Sequence, residues 1–202
     1  MTAAPTEAVD PAGEATETPR RADAVRNRER VIEAAEEVFG VHGIEAGIPE
    51  IAEKAGVGKG TVYRNFETKE DLVSAVLASQ LARFNQMTVA AIDQDDAWLA
   101  FCNLLRDAIH GKMRSRNYMI GLNHEGKSEV LEYERKRSKV LLGQLLDKAI
   151  EQGMMRPDAE AGDVSVLFGG ISRVLNERGQ QDHKVWLRHV DQVIDAFRVQ
   201  PT

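Results

Sequence analysis

The run from Ile51 to Phe66 constrains this chain more than any other, because it reads as two short helices forced into a tight corner. Ile51, Ala52 and Ala55 mark the apolar side of the first helix, and Ala52 is small enough for a second helix to pass close. Gly56 can take the positive φ that a sharp helix exit requires. Val57 plugs the corner, and Val62 and Phe66, four apart, give the second helix an inward stripe. Lys59, Thr61, Tyr63, Arg64 and Asn65 are left facing outward. Such side chains donate to phosphates and base edges, which is the layout of a helix-turn-helix whose second helix enters the major groove of duplex DNA.

With its flanks, this segment resembles the DNA-binding region of TetR-family transcriptional regulators. The residues that carry the resemblance are Ile51-Ala52, Ala55-Gly56-Val57-Gly58, Gly60-Thr61-Val62-Tyr63, Phe66 and Thr68-Lys69-Glu70-Asp71-Leu72. It extends from about Arg28 to Leu77, roughly a quarter of the chain. The resemblance implies that Thr61, Tyr63 and Lys69 anchor the DNA backbone. Lys59, Arg64 and Asn65 are the candidate base readers, Gly60 permits close approach, and Arg28 joins the contact set. Arg20, Arg21, Arg26 and Arg28 could follow a phosphate strand or enter a minor groove; a solvated charged terminus accounts for them equally well. Two positions depart from the family pattern. Gly58 stands where Ser or Thr is usual, and Gly47 where Thr is frequent; both are expected helix N-caps, where glycine is weaker by only a few tenths of a kcal/mol.

Net charge is −6, which at first argues against a nucleic-acid partner, yet position matters more than the sum. Basic residues gather at Arg20 to Arg30 and around the second helix of the motif, and the acidic excess lies elsewhere. At 202 residues, with 43% hydrophobic and 29% charged side chains, the chain can build one or two ordinary globular units. The apolar periods are helical throughout, and no run approaches the roughly 18 residues of a membrane span. A single cysteine, Cys102, forbids an intrachain disulfide and suits a reducing cytoplasm, with the chain at the nucleoid when on DNA. No histidine pair has metal spacing, no phosphate loop or nucleophile elbow occurs, and no catalytic, metal or cofactor residues are assigned.

The expectation is therefore an all-α chain in four parts. Residues 1–20 form a disordered tail, and 21–67 a three-helix helix-turn-helix domain. A connecting helix occupies 68–91, capped by Thr68, and 92–202 form a larger helical domain for ligand binding and dimerisation. Periodicity predicts helices from about Ala24 to Val41, to Gly111-Lys112 after Asp96, and over Ser115–Leu122, Ser128–Gln152, Asp163–Glu177 and His183–Arg198. Asn123–Lys127 reads as a loop.

In the last two helices, Leu167, Phe168, Ile171 and Val174 and then Trp186, Val190, Val193 and Phe197 form stripes suited to a dimeric four-helix bundle, as the resemblance implies. Packing on the protomer's own core is the alternative. Phe84, Trp98, Phe101, Leu105, Met119, Leu122 and Leu145, with Met113 and Tyr118, are bulky enough to line a ligand pocket, or simply to fill a core. Asn103, Arg106, His110 and Asn123 are candidate polar partners for such a ligand. The function this implies is a homodimeric repressor, released from a palindromic double-stranded operator by a small-molecule effector, with no membrane partner. Two rivals stay open: a regulator without a small-molecule inducer, and a helical enzyme or binding module with a vestigial helix-turn-helix.

Overall fold

The computed structural model describes residues 19–109 and 128–199, in which regular structure is helical apart from one antiparallel bridge, Met155 to Arg198. In order the helices are α1 (Pro19–His42), α2 (Ile48–Ala55), α3 (Lys59–Asn65), α4 (Lys69–Ile92), α5 (Ala97–Asp107), α6 (Glu129–Glu151), α7 (Ala161–Glu177) and α8 (His183–Phe197). The expected tail up to Thr18, the helix Ser115–Leu122 and the loop Asn123–Lys127 lie outside the described residues. No described helix is long and apolar enough to cross a membrane.

Local chemistry explains the boundaries. Gly56 closes α2 at φ +64°, with its N–H on the Glu53 carbonyl at 3.0 Å and the Val57 N–H on the Ala52 carbonyl at 3.0 Å. That is a Schellman end, and it needs the left-handed conformation glycine reaches without strain. Gly47 and Gly58 are the N-caps of α2 and α3, and neither supplies a side-chain hydrogen bond. Thr68 caps α4 properly: the Asp71 N–H donates to Thr68 Oγ1 at 3.1 Å, and the Thr68 N–H donates to Asp71 Oδ2 at 2.9 Å. Asp96 accepts from the Leu99 N–H at 2.8 Å to start α5.

The helices build two cores. Val31, Val38 and Phe39 of α1, Ile51 of α2, Val62 of α3, and Leu72, Val76, Leu77 and Leu81 of α4 form the first. Leu131, near the start of α6, belongs to it as well. The second holds Phe84 of α4, Trp98, Phe101 and Leu105 of α5, Leu145 and Leu146 of α6, Phe168 of α7 and Val190, Val193 and Phe197 of α8. α4 therefore changes cores between Leu81 and Phe84.

A layer of buried polar groups marks that change. Asn85, fully buried, donates from Nδ2 to Glu134 Oε2 at 2.8 Å and to the Glu134 carbonyl at 3.1 Å, and accepts from Ser138 Oγ. On the other side of α4, Glu36 accepts from Gln80 Nε2 at 3.2 Å and from Arg83. Leaving any of these groups without its partner would cost about 1–3 kcal/mol, so the layer holds α4 in one register against α1 and α6. Val130 and Val140 of α6, meanwhile, are solvent-exposed while Glu134 and Ser138 are buried. The inward side of this helix is chosen by Asn85 rather than by hydropathy alone.

α1 also begins earlier than its apolar period. From Asp23 on, where burial is described, the first fully buried residue is Val31, yet the helix runs back to Pro19. Residues 19–30 contain no apolar stripe to betray a helix, but arginine and alanine favour one, and proline fits its first turn.

Candidate nucleic-acid interface

The outer surface of α3 is built from what its two inward anchors leave free. Val62 is 1% exposed and Phe66 is 4% exposed, which fixes the helix rotation and turns Lys59, Gly60, Tyr63 and Arg64 to solvent. Tyr63 is 53% exposed, so its ring does not pack beside Phe66 as core. Thr61 and Asn65 are half-buried at the flanks.

Three polar side chains of α3 are held against the helix itself. Arg64 folds back, Nη2 donating to Thr61 Oγ1 at 2.8 Å and Nε to the Gly60 carbonyl at 3.3 Å. Asn65 Nδ2 donates to the Thr61 carbonyl at 2.7 Å, so its amide is turned along the backbone and not outward as expected. Thr61 Oγ1, accepting from Arg64, still has its own proton to give. A Cβ built on Gly60 would meet nothing within 4 Å, so the free chain has no steric need for glycine there.

The flanks of α3 are equally specific. Lys69 occupies the first turn of α4, where the helix dipole already places partial positive charge. A cation there is unfavourable in isolation, although Glu70 and Asp71 follow it; an incoming phosphate would be drawn by both the ammonium and the helix end. Arg28 stacks over the Phe66 ring, its guanidinium carbon 5.0 Å from the centroid. Arg30 Nη2 donates to the Ala55 carbonyl at 2.6 Å, tying α1 to the corner between α2 and α3. Arg30 is a part of the site that periodicity missed, since its role is to complete a helix end and not to face a partner.

The structure corrects the expected dimer surface. Phe168, Val190, Val193 and Phe197 are between 0% and 4% exposed within the single chain. Phe197 packs edge-on to Phe101 at 5.6 Å, and the Arg156 guanidinium lies over the Phe197 ring at 5.7 Å. These four side chains are consumed by the protomer's own core, which wants the same helical spacing as a dimer seam. Ile171 and Trp186 are half-buried, and the Trp186 indole donates to the Gln180 carbonyl at 3.0 Å. What remains apolar and exposed lies on the outer side of α7: Val166, Leu167 and Val174 at 72%, 38% and 45%, beside the exposed Gly170.

The pocket candidates are corrected likewise. Trp98, Phe101 and Leu145 fill the second core, where Trp98 carries the Arg198 guanidinium at 5.0 Å and stands 5.9 Å from Phe101. Phe84 and Leu105 do line a cavity of about 220 Å³, with Leu142, Phe168, Ser138 and Lys139 among its other walls. Met119, Leu122, Met113, Tyr118, His110 and Asn123 lie outside the described residues. Asn103 is exposed, and Arg106 is paired with Asp191 at 2.8 Å, so neither faces that cavity.

Likeness to known proteins follows the same division of the chain. The family of bacterial regulatory proteins called tetR matches residues 31–76, from α1 to the first half of α4. The HTH-type transcriptional regulator TtgW of Pseudomonas putida, described as uncharacterized, is 34% identical over 109 residues, 54% of this chain and 81% of TtgW. SrpR of Pseudomonas putida is also 34% identical over 109 residues, which span 51% of its length. Among solved structures, the TetR transcription regulatory protein of Mycobacterium vanbaalenii superposes with a TM-score of 0.61 at 29% identity, over 90% of this chain and 100% of the other. The reduced form of E. coli NemR gives a TM-score of 0.65 at 16% identity, over 88% and 99%, a likeness of fold alone. A glycine-cornered helix pair on the first core, a helical body behind it, the family match over residues 31–76 and relatives alike in sequence and fold put the chain in the TetR family of transcriptional regulators, proteins that bind DNA.

Proposed function

We propose that the protein acts in the cytoplasm as a homodimeric repressor that holds a palindromic operator with two copies of α3 and leaves it when a small apolar effector binds. The observation that carries this reading is the pairing of two unsatisfied surfaces: the polar outer side of α3 and the apolar outer side of α7. One seven-residue helix reads too few base pairs for a specific site, and a twofold copy doubles the contact. Val166, Leu167 and Val174 offer a self-complementary strip for that copy, and Gly170 lets the strips approach closely.

In this reading Lys69, Thr61 and Tyr63 grip phosphates while Lys59 and Arg64 reach bases, Arg64 exchanging its intrahelical bonds for base contacts. Asn65 reaches a base only if its amide turns away from the Thr61 carbonyl. The effector occupies the cavity walled by Phe84, Leu105, Leu142 and Phe168. Phe84 lies on the helix that begins with Lys69, so a ligand that favours one tilt of α4 changes the spacing of the two reading heads. Selection of operator duplexes from a random pool, followed by footprinting, tests the DNA reading; binding without sequence preference would sink it. Lys69→Ala should weaken all sequences alike and lower the salt-dependence slope by about one per half-site. Arg64→Ala should instead relax preference at one operator position by roughly 1–3 kcal/mol.

A second reading is a regulator that answers to a protein partner or to its own concentration, which the outer sides of α3 and α7 serve equally well. Release of operator by no member of a chemically diverse library would favour this alternative.

A further inference from the structure

We infer that the effector held between α6 and α7 is an amphiphilic anion, a carboxylate on an aliphatic or single-ring body, whose charged end meets Lys139 and Arg135. The inference rests on the effector-release reading above and names the class of molecule that the cavity takes.

The wall of the cavity is graded in polarity. Its buried part is apolar: Phe84 of α4, Leu105 of α5, Leu142 of α6, and Val164 and Phe168 of α7. The part that solvent reaches includes Arg135, half-buried, and Lys139, exposed. Positions 135, 138, 139 and 142 share one side of α6, so a single strip about 10 Å long runs from cation to aliphatic. Gly162 of α7 is exposed in the same wall, and a Cβ there would meet nothing within 4 Å, which leaves room beside the cations.

Hydrogen bonding narrows the choice of head group. The two hydroxyls of the wall have already given their protons, Ser138 to Asn85 Oδ1 and Ser165 to the Ala161 carbonyl at 3.3 Å. Arg135 is paired with Glu132 one turn earlier, whereas Lys139 forms no ion pair among the described residues. No carboxylate is among the described residues of the wall. The acids next to it in sequence are committed elsewhere: Glu134 accepts from Asn85, and Asp163 accepts from the Glu160 N–H to cap α7. A cationic head would therefore meet two positive charges and no counter-charge. A neutral one would use the apolar wall and leave the ammonium to water. Only an anion uses both, so burial of the body supplies most of the affinity and the lysine selects the class.

The test titrates the full chain by calorimetry with octanoate, 1-octanol and octylammonium, which share a body and differ in the head, and with benzoate against benzyl alcohol. A carboxylate should bind tightest in its set. K139Q should weaken that carboxylate about fivefold, the scale of a partly exposed ion pair, and leave the alcohols unchanged. K139E should reverse the order of octanoate and octylammonium. Lys139 is exposed, and unchanged thermal unfolding of both variants confirms an intact fold. Alcohols that bind as tightly as carboxylates, a carboxylate affinity indifferent to K139Q, or no binding by any of these compounds would overturn the anionic class while leaving release by another apolar effector standing. Anisotropy with a selected operator separates the two readings: a carboxylate that binds as expected without releasing operator would overturn the effector role alone.

Discussion

Individual positions separate what the fold needs from what DNA needs. Gly58 caps α3 at φ −73°, a conformation open to any residue, and a Cβ there meets nothing within 4 Å. Gly58→Ser should stabilise the protein by about 0.5–1 kcal/mol in denaturant melts, through a cap bond and a less disordered unfolded chain. Gly47 is tighter, its Cβ 3.3 Å from Pro49 Cδ, so the same change there should gain less. Gly60 gives the sharpest separation. Gly60→Ala should raise stability by up to about 1 kcal/mol, because alanine is the better helix former, while weakening operator affinity where the DNA backbone closes on α3. Equal affinity with and without the methyl would show that nothing approaches there. Cys102 makes a different point. Burial pushes its thiol above the usual range, against the pull of Arg106 and Arg198. A raised pKa in the folded state means a stabilising contribution present below the unfolded value and lost as pH climbs past it. The stability of the wild type relative to Cys102→Ala should therefore shrink above about pH 9, as read by urea denaturation at a series of pH values.

Among the helices, the decisive contrast lies on α7 and α8. Val166→Glu should leave the fold intact, yield a monomer by sedimentation, and remove high-affinity operator binding. Phe197→Ala should cost about 3–5 kcal/mol of stability before any question of assembly arises. A dimer undisturbed by Val166→Glu would move the interface elsewhere. This contrast also shows where sequence reasoning stops. The α2–α3 corner was legible because its demands are local: Gly56 needs positive φ, and Val62 and Phe66 must share a side. The stripes of α7 and α8 were legible as helical, but the spacing that fills a protomer core is the spacing that joins two protomers. Only the partner decides, and no periodicity contains the partner. Glu134 and Ser138 were hidden for a related reason, being specified by Asn85 on another helix. The first turn of α1, Pro19 to Asp23, was missed because the aliphatic period does not reach it.

Across the whole molecule, the two cores are not independent. α4 contributes to both, and Leu131 carries α6 into the first. Calorimetry should accordingly show one unfolding transition, with van't Hoff and calorimetric enthalpies in agreement; two resolved peaks would contradict that coupling. The bearing of Leu131 reaches past stability. Recombining the reading head of one relative with the body of another, spliced after Ile92, would set a foreign α6 against the first core and against Asn85. Such a hybrid should work only when the incoming body carries an aliphatic residue at the place of Leu131. Operator preference should therefore transfer only together with Leu131, Glu134 and Ser138 from the far half of the chain, and swaps that ignore them should yield misfolded regulators, not retargeted ones.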